Sequence, residues 1–92
     1  MRARYGSRSR MTVITLYGRP GCHLCDEARD TILALRAIGP AFQLRDVNIE
    51  DDQRLHAVYL ERIPVVEVDG EIVSELVLDE DALRARLDTV RA

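Results

Sequence analysis

The chain has two cysteines, Cys22 and Cys25, and their C-x-x-C spacing makes them the side chains best suited to chemistry. Such a pair can alternate between a dithiol and a disulfide, and each conversion passes two electrons. Glycine and proline break the chain just before the pair, and a helical pattern follows it. We therefore expect the cysteines at the amino end of a helix, where free N–H groups and the helix dipole favour a thiolate.

The order of the cysteines predicts a different role for each. Cys22 falls at the cap of the predicted helix, nearer to solvent, so we expect it to attack with a pKa below that of a free thiol. Cys25 falls one turn further along, within reach of the Cys22 sulfur, so we expect it to resolve the mixed disulfide. Because nucleophilicity falls with the pKa, the lower value helps Cys22 more as a leaving group than as a nucleophile.

The C-x-x-C spacing alone also allows other roles for the two cysteines. The cysteines could be inert structural residues, although a structural disulfide here would close a very short loop and add little stability. Zinc takes four ligands, and only Cys22, Cys25 and at most His23 lie close together, so we predict no metal site. His23 is either a cation that tunes Cys22 or an exposed turn residue, and we assign no role to His56.

Hydrophobic periodicity predicts the elements that position the pair. Strands are predicted for residues 12–17, 41–49, 63–68 and 71–76, and helices for residues 22–38, 51–60 and 79–90. The order β-α-β-α-β-β-α predicts an α/β fold with a mixed four-stranded sheet and helices on both faces. Asp69-Gly70 predicts a tight hairpin between the last two strands.

Finer details of these elements are also predicted. The apolar residues of the second strand change phase between Leu44 and Val47, which indicates a bulge or burial of both faces. Asp51 and Asp79 are the predicted N-caps of the second and third helices. Pro64 is either a proline tolerated at the start of a strand or part of a cis peptide that turns the Ile63 backbone toward the cysteines.

The composition excludes several functional classes. The chain has 92 residues, enough for one domain, with a net charge of −3 and no Trp, so we do not expect nucleic-acid binding. All 13 basic residues are arginine, which excludes lysine chemistry and is typical of a GC-rich bacterial genome. No apolar run approaches the roughly 20 residues of a membrane span or forms a signal peptide, so we predict a cytoplasmic monomer.

The first ten residues (MRARYGSRSR) differ in charge from the rest of the chain. They carry four Arg and no acid, whereas residues 11–92 carry nine Arg and sixteen acids. We interpret residues 1–10 as a disordered basic tail and residues 11–92 as the folded domain. An upstream translation start and a weak electrostatic contact are the alternative interpretations of the tail.

Together these segments resemble the glutaredoxins. A strand, the segment RPGCHLC at residues 19–25, a helix and a later Ile63-Pro64 are similar to small bacterial glutaredoxin-like proteins over residues 11–92. The resemblance implies a thioredoxin-like fold, a cis bond at Ile63-Pro64, Cys22 as nucleophile and Cys25 as resolving thiol. It also implies that Arg19 is a basic residue that lowers the pKa of Cys22 or binds a substrate carboxylate.

The sequence departs from the common glutaredoxin pattern at two places. His23 and Leu24 replace the Pro and Tyr of C-P-Y-C, and residues 73–77 (VSELV) replace a Gly-Gly-x-Asp segment that binds glutathione. The Ile63 backbone and Arg19 can still contact glutathione, but we expect weak binding and predict no tightly bound cofactor. The reductant is therefore either glutathione or a reductase. The chain also lacks the Trp and the buried acid of thioredoxins.

Three functional hypotheses follow from these residues. The first is a thiol-disulfide oxidoreductase that acts on disulfide-containing proteins. The second is a metal or iron–sulfur carrier, and the third is a binding module that keeps the fold without redox activity. The ferredoxin-like form of a metal carrier would end on a strand, whereas this chain is predicted to end on a helix.

Overall fold

The computed structural model of the chain describes residues 11–91, so the predicted tail at residues 1–10 lies outside the described residues. Strands and α-helices follow one another in the predicted order β-α-β-α-β-β-α. The elements are β1 (Val13–Gly18), α1 (His23–Ile38), β2 (Gln43–Asn48), α2 (Gln53–Tyr59), β3 (Val65–Val68), β4 (Glu71–Glu75) and α3 (Glu80–Arg91). A short 3-10 helix, Ile49–Asp51, connects β2 to α2.

The sheet has four strands in the order β2-β1-β3-β4. β1 and β2 are parallel, joined by the crossover helix α1, and β3 is antiparallel to both β1 and β4. The predicted mixed sheet is therefore confirmed. Asp69 and Gly70 form the predicted hairpin turn, with positive φ angles of 51° and 88°.

The larger buried cluster joins one face of the sheet to α1 and α3. Its members are Ile14, Leu16, Ala28, Ile32, Leu35, Phe42, Val66, Val68, Leu83 and Leu87. Successive side chains of a strand point to opposite faces, so this face takes Ile14 and Leu16, and Tyr17 points to the other face. This cluster is the main apolar core, and it holds the middle and the carboxyl part of α1 against the sheet.

The smaller buried cluster lies at the end of β1 and contains both cysteines. Its buried members are Cys25, Ile49, Ile63 and Val65, with Tyr17, Cys22, Leu55 and Tyr59 packed against them. Leu55 and Tyr59 belong to α2, so α2 covers the sheet face to which Tyr17 points. Helices therefore lie on both faces of the sheet, as predicted.

One of the two predicted N-caps is confirmed. The Gly39 amide donates to the Leu35 carbonyl at 2.8 Å and ends α1, and the Asp79 carboxylate accepts from the Ala82 amide at 3.0 Å. The predicted N-cap Asp51 is wrong, because Asp51 ends the 3-10 helix. Asp52 caps α2 instead, and its carboxylate accepts from the amides of Arg54 and Leu55.

The phase change in the second strand comes from partial burial of both faces, one of its two predicted causes, and not from a bulge. β2 pairs with β1 in continuous register from Gln43 to Asn48. Leu44 packs against the larger cluster, whereas Val47 pairs with Tyr17 and is half-buried on the opposite face. Phe42 precedes the strand and Ile49 begins the 3-10 helix. Among the described elements, no helix is both long enough and apolar enough to cross a membrane.

Candidate active site

The two cysteines form a disulfide at the start of α1, with a Cα–Cα distance of 5.2 Å. Cys22 is the N-cap, and its sulfur accepts a hydrogen bond from the Cys25 amide at 3.2 Å. Cys22 is partly exposed, whereas Cys25 is fully buried. The helix start therefore presents one outer sulfur and one inner sulfur, and its free N–H groups favour a negative charge on the outer one.

Gly18 makes room for the inner sulfur. It is the last residue of β1, and a Cβ built on it would lie 3.0 Å from the Cys25 sulfur and 3.1 Å from the Cys25 Cβ. Close-packed interiors leave no room for such an extra methyl without movement. In the sequence, Gly18 marks only the break between the first strand and the helix. Its position directly after an apolar strand and four residues before Cys22 was the available signal.

The Ile63-Pro64 peptide bond is cis, which confirms the expectation drawn from the family resemblance. Pro64 is fully buried, and Ile63 lies in the same cluster as Cys25. The Ile63 amide donates to the Tyr59 carbonyl at 3.0 Å. This donor is therefore already engaged within the chain and is not free for a substrate backbone.

Arg19 lies beside the site but pairs with a different element. Its guanidinium is 4.0 Å from the Glu50 carboxylate, and its side chain is 44% exposed. Its backbone carbonyl accepts from the Cys22 amide at 3.3 Å. An exposed pair of this kind leaves most of the positive charge screened by solvent, so its effect on the Cys22 sulfur is modest.

His23 points along the helix surface rather than into the site. Its Nε2 is 2.8 Å from the Glu27 carboxylate one turn further along α1, and its side chain is largely exposed. This placement agrees with the interpretation of His23 as an exposed residue. A tuning role would require the imidazole to turn away from Glu27 toward Cys22.

On the β2 side of the cysteines, Arg29 joins α1 to the sheet. Its guanidinium binds both carboxylate oxygens of Asp46 and also Asp26. These hydrogen bonds raise the pKa of Arg29. A cavity of about 330 Å³ lies here, lined by Gly18, Arg19, Pro20, Asp26, Arg29, Asp46, Val47 and Asn48.

Tyr17 packs against the cysteine cluster from the α2 side. Its ring centroid is 4.8 Å from that of Tyr59, and its hydroxyl donates to Glu67 at 3.2 Å. Burial, together with the negative charge of Glu67, raises the pKa of Tyr17. The phenol therefore stays protonated at neutral pH and supports the site without acting as a base.

The junction after β4 differs from a glycine-rich turn. Leu76 has a positive φ of 66°, and its amide donates to the Arg62 carbonyl at 3.0 Å. The Asp79 amide donates to the Ser74 hydroxyl at 2.9 Å, and Glu75 forms an ion pair with Arg62. The amides at Leu76 and Asp79 are thus engaged within the chain, so the residues present fit the γ-glutamyl carboxylate of glutathione poorly.

Between residues 11 and 91, no group of three or more His, Cys, Asp or Glu side chains is arranged to hold a metal ion. The described site thus consists of the cysteine pair, the cis proline and the surrounding apolar cluster. A C-x-x-C disulfide at a helix start, beside a cis proline and on this sheet order, defines a redox-type protein of the thioredoxin-like fold.

Comparison with known proteins gives the family. Residues 13–88 match the model of the glutaredoxin-like domain described as Glrx-like (DUF836), and the chain belongs to this family. A search of the curated proteins found no match.

Solved structures agree with this assignment. Protein Ne2328 from Nitrosomonas europaea is 30% identical, with a TM-score of 0.74 over 85% of this chain and 93% of that one. Protein XcR50 from X. campestris is 38% identical, with a TM-score of 0.65 over 83% of this chain and 96% of that one. A mutant thioredoxin from Halobacterium salinarum, at 24% identity and a TM-score of 0.62 over 90% of this chain and 77% of that one, shares the fold.

Proposed function

We propose that the protein is a thiol-disulfide oxidoreductase that reduces disulfides in other proteins. The observation that carries the proposal is the difference between the two sulfurs. Cys22 is partly exposed and accepts the Cys25 amide hydrogen bond at the helix start, whereas Cys25 is buried behind it. An outer sulfur stabilised as a thiolate and an inner sulfur within bonding distance are what a two-step disulfide exchange requires.

In the proposed reaction, the Cys22 thiolate attacks one sulfur of a substrate disulfide. The substrate S–S bond breaks, a Cys22–substrate disulfide forms, and the other substrate sulfur leaves as a thiolate that takes a proton from water. Cys25 then loses its proton to solvent and attacks the Cys22 sulfur, which releases the second substrate thiolate. The substrate gains two electrons and two protons, and the protein ends with the Cys22–Cys25 disulfide.

The disulfide must then be reduced by a thiol donor, and we propose a protein reductase rather than glutathione. The engaged amides of Ile63 and Leu76 support this choice, because both would have to be freed to bind a glutathione backbone. Arg19 remains available for a carboxylate only in competition with Glu50. We propose a monomer that acts in the cytoplasm, where a reducing environment keeps the pair in the dithiol form.

The proposal is tested with the reduced full-length chain, a protein substrate with accessible disulfides and a dithiol reductant. We expect turnover by the wild type and none by Cys22→Ser. Cys25→Ser, reduced and then mixed with the substrate without the dithiol, is expected to stop at the first step, as a covalent adduct whose mass equals the sum of the two proteins.

Alkylation rates of the two single variants check the assignment of roles. We expect Cys25→Ser, which keeps the outer sulfur, to react at least about tenfold faster than Cys22→Ser, because reactivity follows thiolate character and exposure. Equal rates would contradict the assignment. A wild type that binds protein partners but never reduces them would indicate a binding module, and a coloured protein without titratable thiols would indicate a cluster carrier.

A further inference from the structure

Three apolar side chains stand exposed on the side of the site that faces α3. We call them the Leu76 surface: Leu24, Leu76 and Val77, which are 41%, 51% and 68% exposed. Leu24 and Val77 line the same cavity of about 120 Å³. Leu76 precedes Val77 in the chain, so the three exposed apolar side chains form a group, unlike the scattered single residues that are normal on protein surfaces.

The chain between β4 and α3 is built to hold this surface in place. Leu76 adopts the left-handed region, which is unfavourable for a leucine, and its amide is held by the Arg62 carbonyl. The largely buried Ser74 hydroxyl donates to the Val77 carbonyl and accepts from the Asp79 amide. Backbone strain in a non-glycine residue persists where the surroundings impose it, and such residues cluster at ligand sites.

The Leu76 surface adjoins the cysteines. Leu24 lies between them in the sequence, and Leu76 is hydrogen-bonded to the residue before Ile63, which packs in the cysteine cluster. A segment that brings a sulfur to Cys22 would therefore place its neighbouring side chains within reach of this surface.

The charged side chains around this cavity determine which kind of substrate segment can bind to the Leu76 surface. The charged side chains that line the cavity between Leu24 and Val77 are both carboxylates, Glu27 and Glu80. Their partners are the exposed His23 and Arg84, and the Arg84 contact is long, at 3.9 Å. A basic side chain is attracted by such a rim, whereas an acidic one is repelled.

We infer that the Leu76 surface docks the substrate protein, and that it selects a cysteine flanked by an apolar residue and a basic residue. This inference rests on the proposed function. The apolar neighbour covers Leu76 and Val77, and the basic neighbour lies against Glu27 and Glu80. The selectivity is for a protein segment, since glutathione has no apolar side chain beside its cysteine and carries two carboxylates against one ammonium group.

The test uses the Cys25→Ser background, so that each reaction stops after the attack by Cys22. The probes are four short peptides with one cysteine held as a mixed disulfide with thionitrobenzoate, whose release is followed by absorbance. Their flanking residues are Leu and Arg, Ser and Arg, Leu and Glu, or Ser and Glu. The mixed disulfide of mercaptoethanol with the same leaving group reports the chemistry without any docking.

We expect the Leu-Arg peptide to react about tenfold faster than the Ser-Glu peptide, a difference of about 1.4 kcal/mol. In the double variant Leu76→Asn, Val77→Ser, the two peptides should react at rates that differ by no more than about twofold. Both substitutions remove an apolar side chain, and Asn at residue 76 keeps the left-handed conformation. The matched control is Val58→Ser, which removes a 53% exposed apolar residue from α2 and should keep the ratio.

The outcomes separate the two proposals. No reaction with the mercaptoethanol disulfide would overturn the proposed function. Reaction with that disulfide but equal rates for all four peptides, or an unchanged ratio in the double variant, would overturn the docking inference alone. A wild type that elutes as a dimer and a double variant that elutes as a monomer would assign the surface to self-association and would also overturn it.

Discussion

The two junctions at the site, β1–α1 at residues 18–25 and β4–α3 at residues 75–80, obey different constraints. The first places a glycine against a buried sulfur and an exposed sulfur at a helix cap. The second carries an apolar residue in the left-handed region and uses its own amides within the chain. The first junction keeps the cysteine pair that the glutaredoxin resemblance implies, although His23 and Leu24 replace the usual Pro and Tyr, whereas the second junction lacks the glycine segment altogether.

This difference separates chemistry from recognition. Disulfide exchange needs two sulfurs within bonding distance and a field that favours a thiolate, and these requirements tolerate little variation. Recognition needs only a surface complementary to a partner, which side chains such as Leu76 can alter without moving the sulfurs. The predictions below test each junction in turn.

The largest expected effect concerns glutathione and tests the β4–α3 junction. Loss of one charge-assisted contact weakens binding by about 1.5–3 kcal/mol, which corresponds to roughly 10- to 150-fold. We therefore expect turnover in a glutathione mixed-disulfide assay to be lower by about that factor than that of a C-P-Y-C glutaredoxin measured alongside. The same protein should still cycle with a dithiol. Turnover in the glutathione assay equal to that of the C-P-Y-C glutaredoxin would mean that another segment replaces the missing glycines.

The next effect concerns the fit of the inner sulfur and tests the β1–α1 junction. Gly18→Ala places a methyl 3.0 Å from the Cys25 sulfur, and such overpacking destabilises by about 1–3 kcal/mol. We expect Cys25 to resolve a Cys22 mixed disulfide more slowly in this variant, which quenched-flow mass measurement would detect. Urea unfolding gives the accompanying loss of stability. A resolution rate equal to that of the wild type would show that the inner sulfur has more space than the packing indicates.

The sequence predicts some parts of this site and not others. The helix start, the outer position of Cys22 and the inner position of Cys25, and the hairpin at Asp69-Gly70 follow from local rules of capping, spacing and turn chemistry. The contact between Gly18 and Cys25 could not be predicted, because it depends on how closely a strand and a helix approach. The same holds for the engaged amides of Ile63 and Leu76, whose acceptors come from other segments.

The fold also divides into features that local sequence determines and features that depend on contacts between segments. Element order and sheet pairing were predictable because long periodic segments dominate them. The predicted cap Asp51 was wrong by one residue, since a 3-10 turn intervenes that hydrophobic patterning does not mark. The phase change in β2 left a bulge or burial of both faces open, and the continuous register leaves the second, with Leu44 and Val47 half-buried on opposite faces.

A smaller effect is expected for Arg19. The pKa of Cys22, followed by thiolate absorbance in the Cys25→Ser background, should lie below about 8.5, the value of a free thiol. Arg19→Ala should raise it by less than about one unit, because the guanidinium is solvated and shared with Glu50. Arg45→Ala, which removes an equal charge from an exposed position on β2, is the control. A midpoint at or above that of a free thiol in the parent would contradict stabilisation by the helix start.

The smallest effect concerns the ion pair that holds the end of β4. Hydrogen bonds from Arg62 hold the pKa of Glu75 below its usual value. Because the folded pKa lies below the unfolded one, the pair stabilises the fold above the unfolded pKa, near 4.3, and this contribution is lost as the pH falls through the folded value. We therefore expect Glu75→Gln to be slightly less stable than the wild type in urea at neutral pH.

The pH dependence distinguishes this ion pair from a general loss of packing at the β4–α3 junction. The difference in free energy of unfolding between wild type and Glu75→Gln should shrink as the pH falls through the folded pKa of Glu75. Both partners are partly exposed, so solvent screening keeps the difference small even at neutral pH. Glu61→Gln, which removes the same charge from a nearby exposed position, controls for net charge. A difference that persists at low pH would assign the stabilising effect of Glu75 to the packing of its side chain.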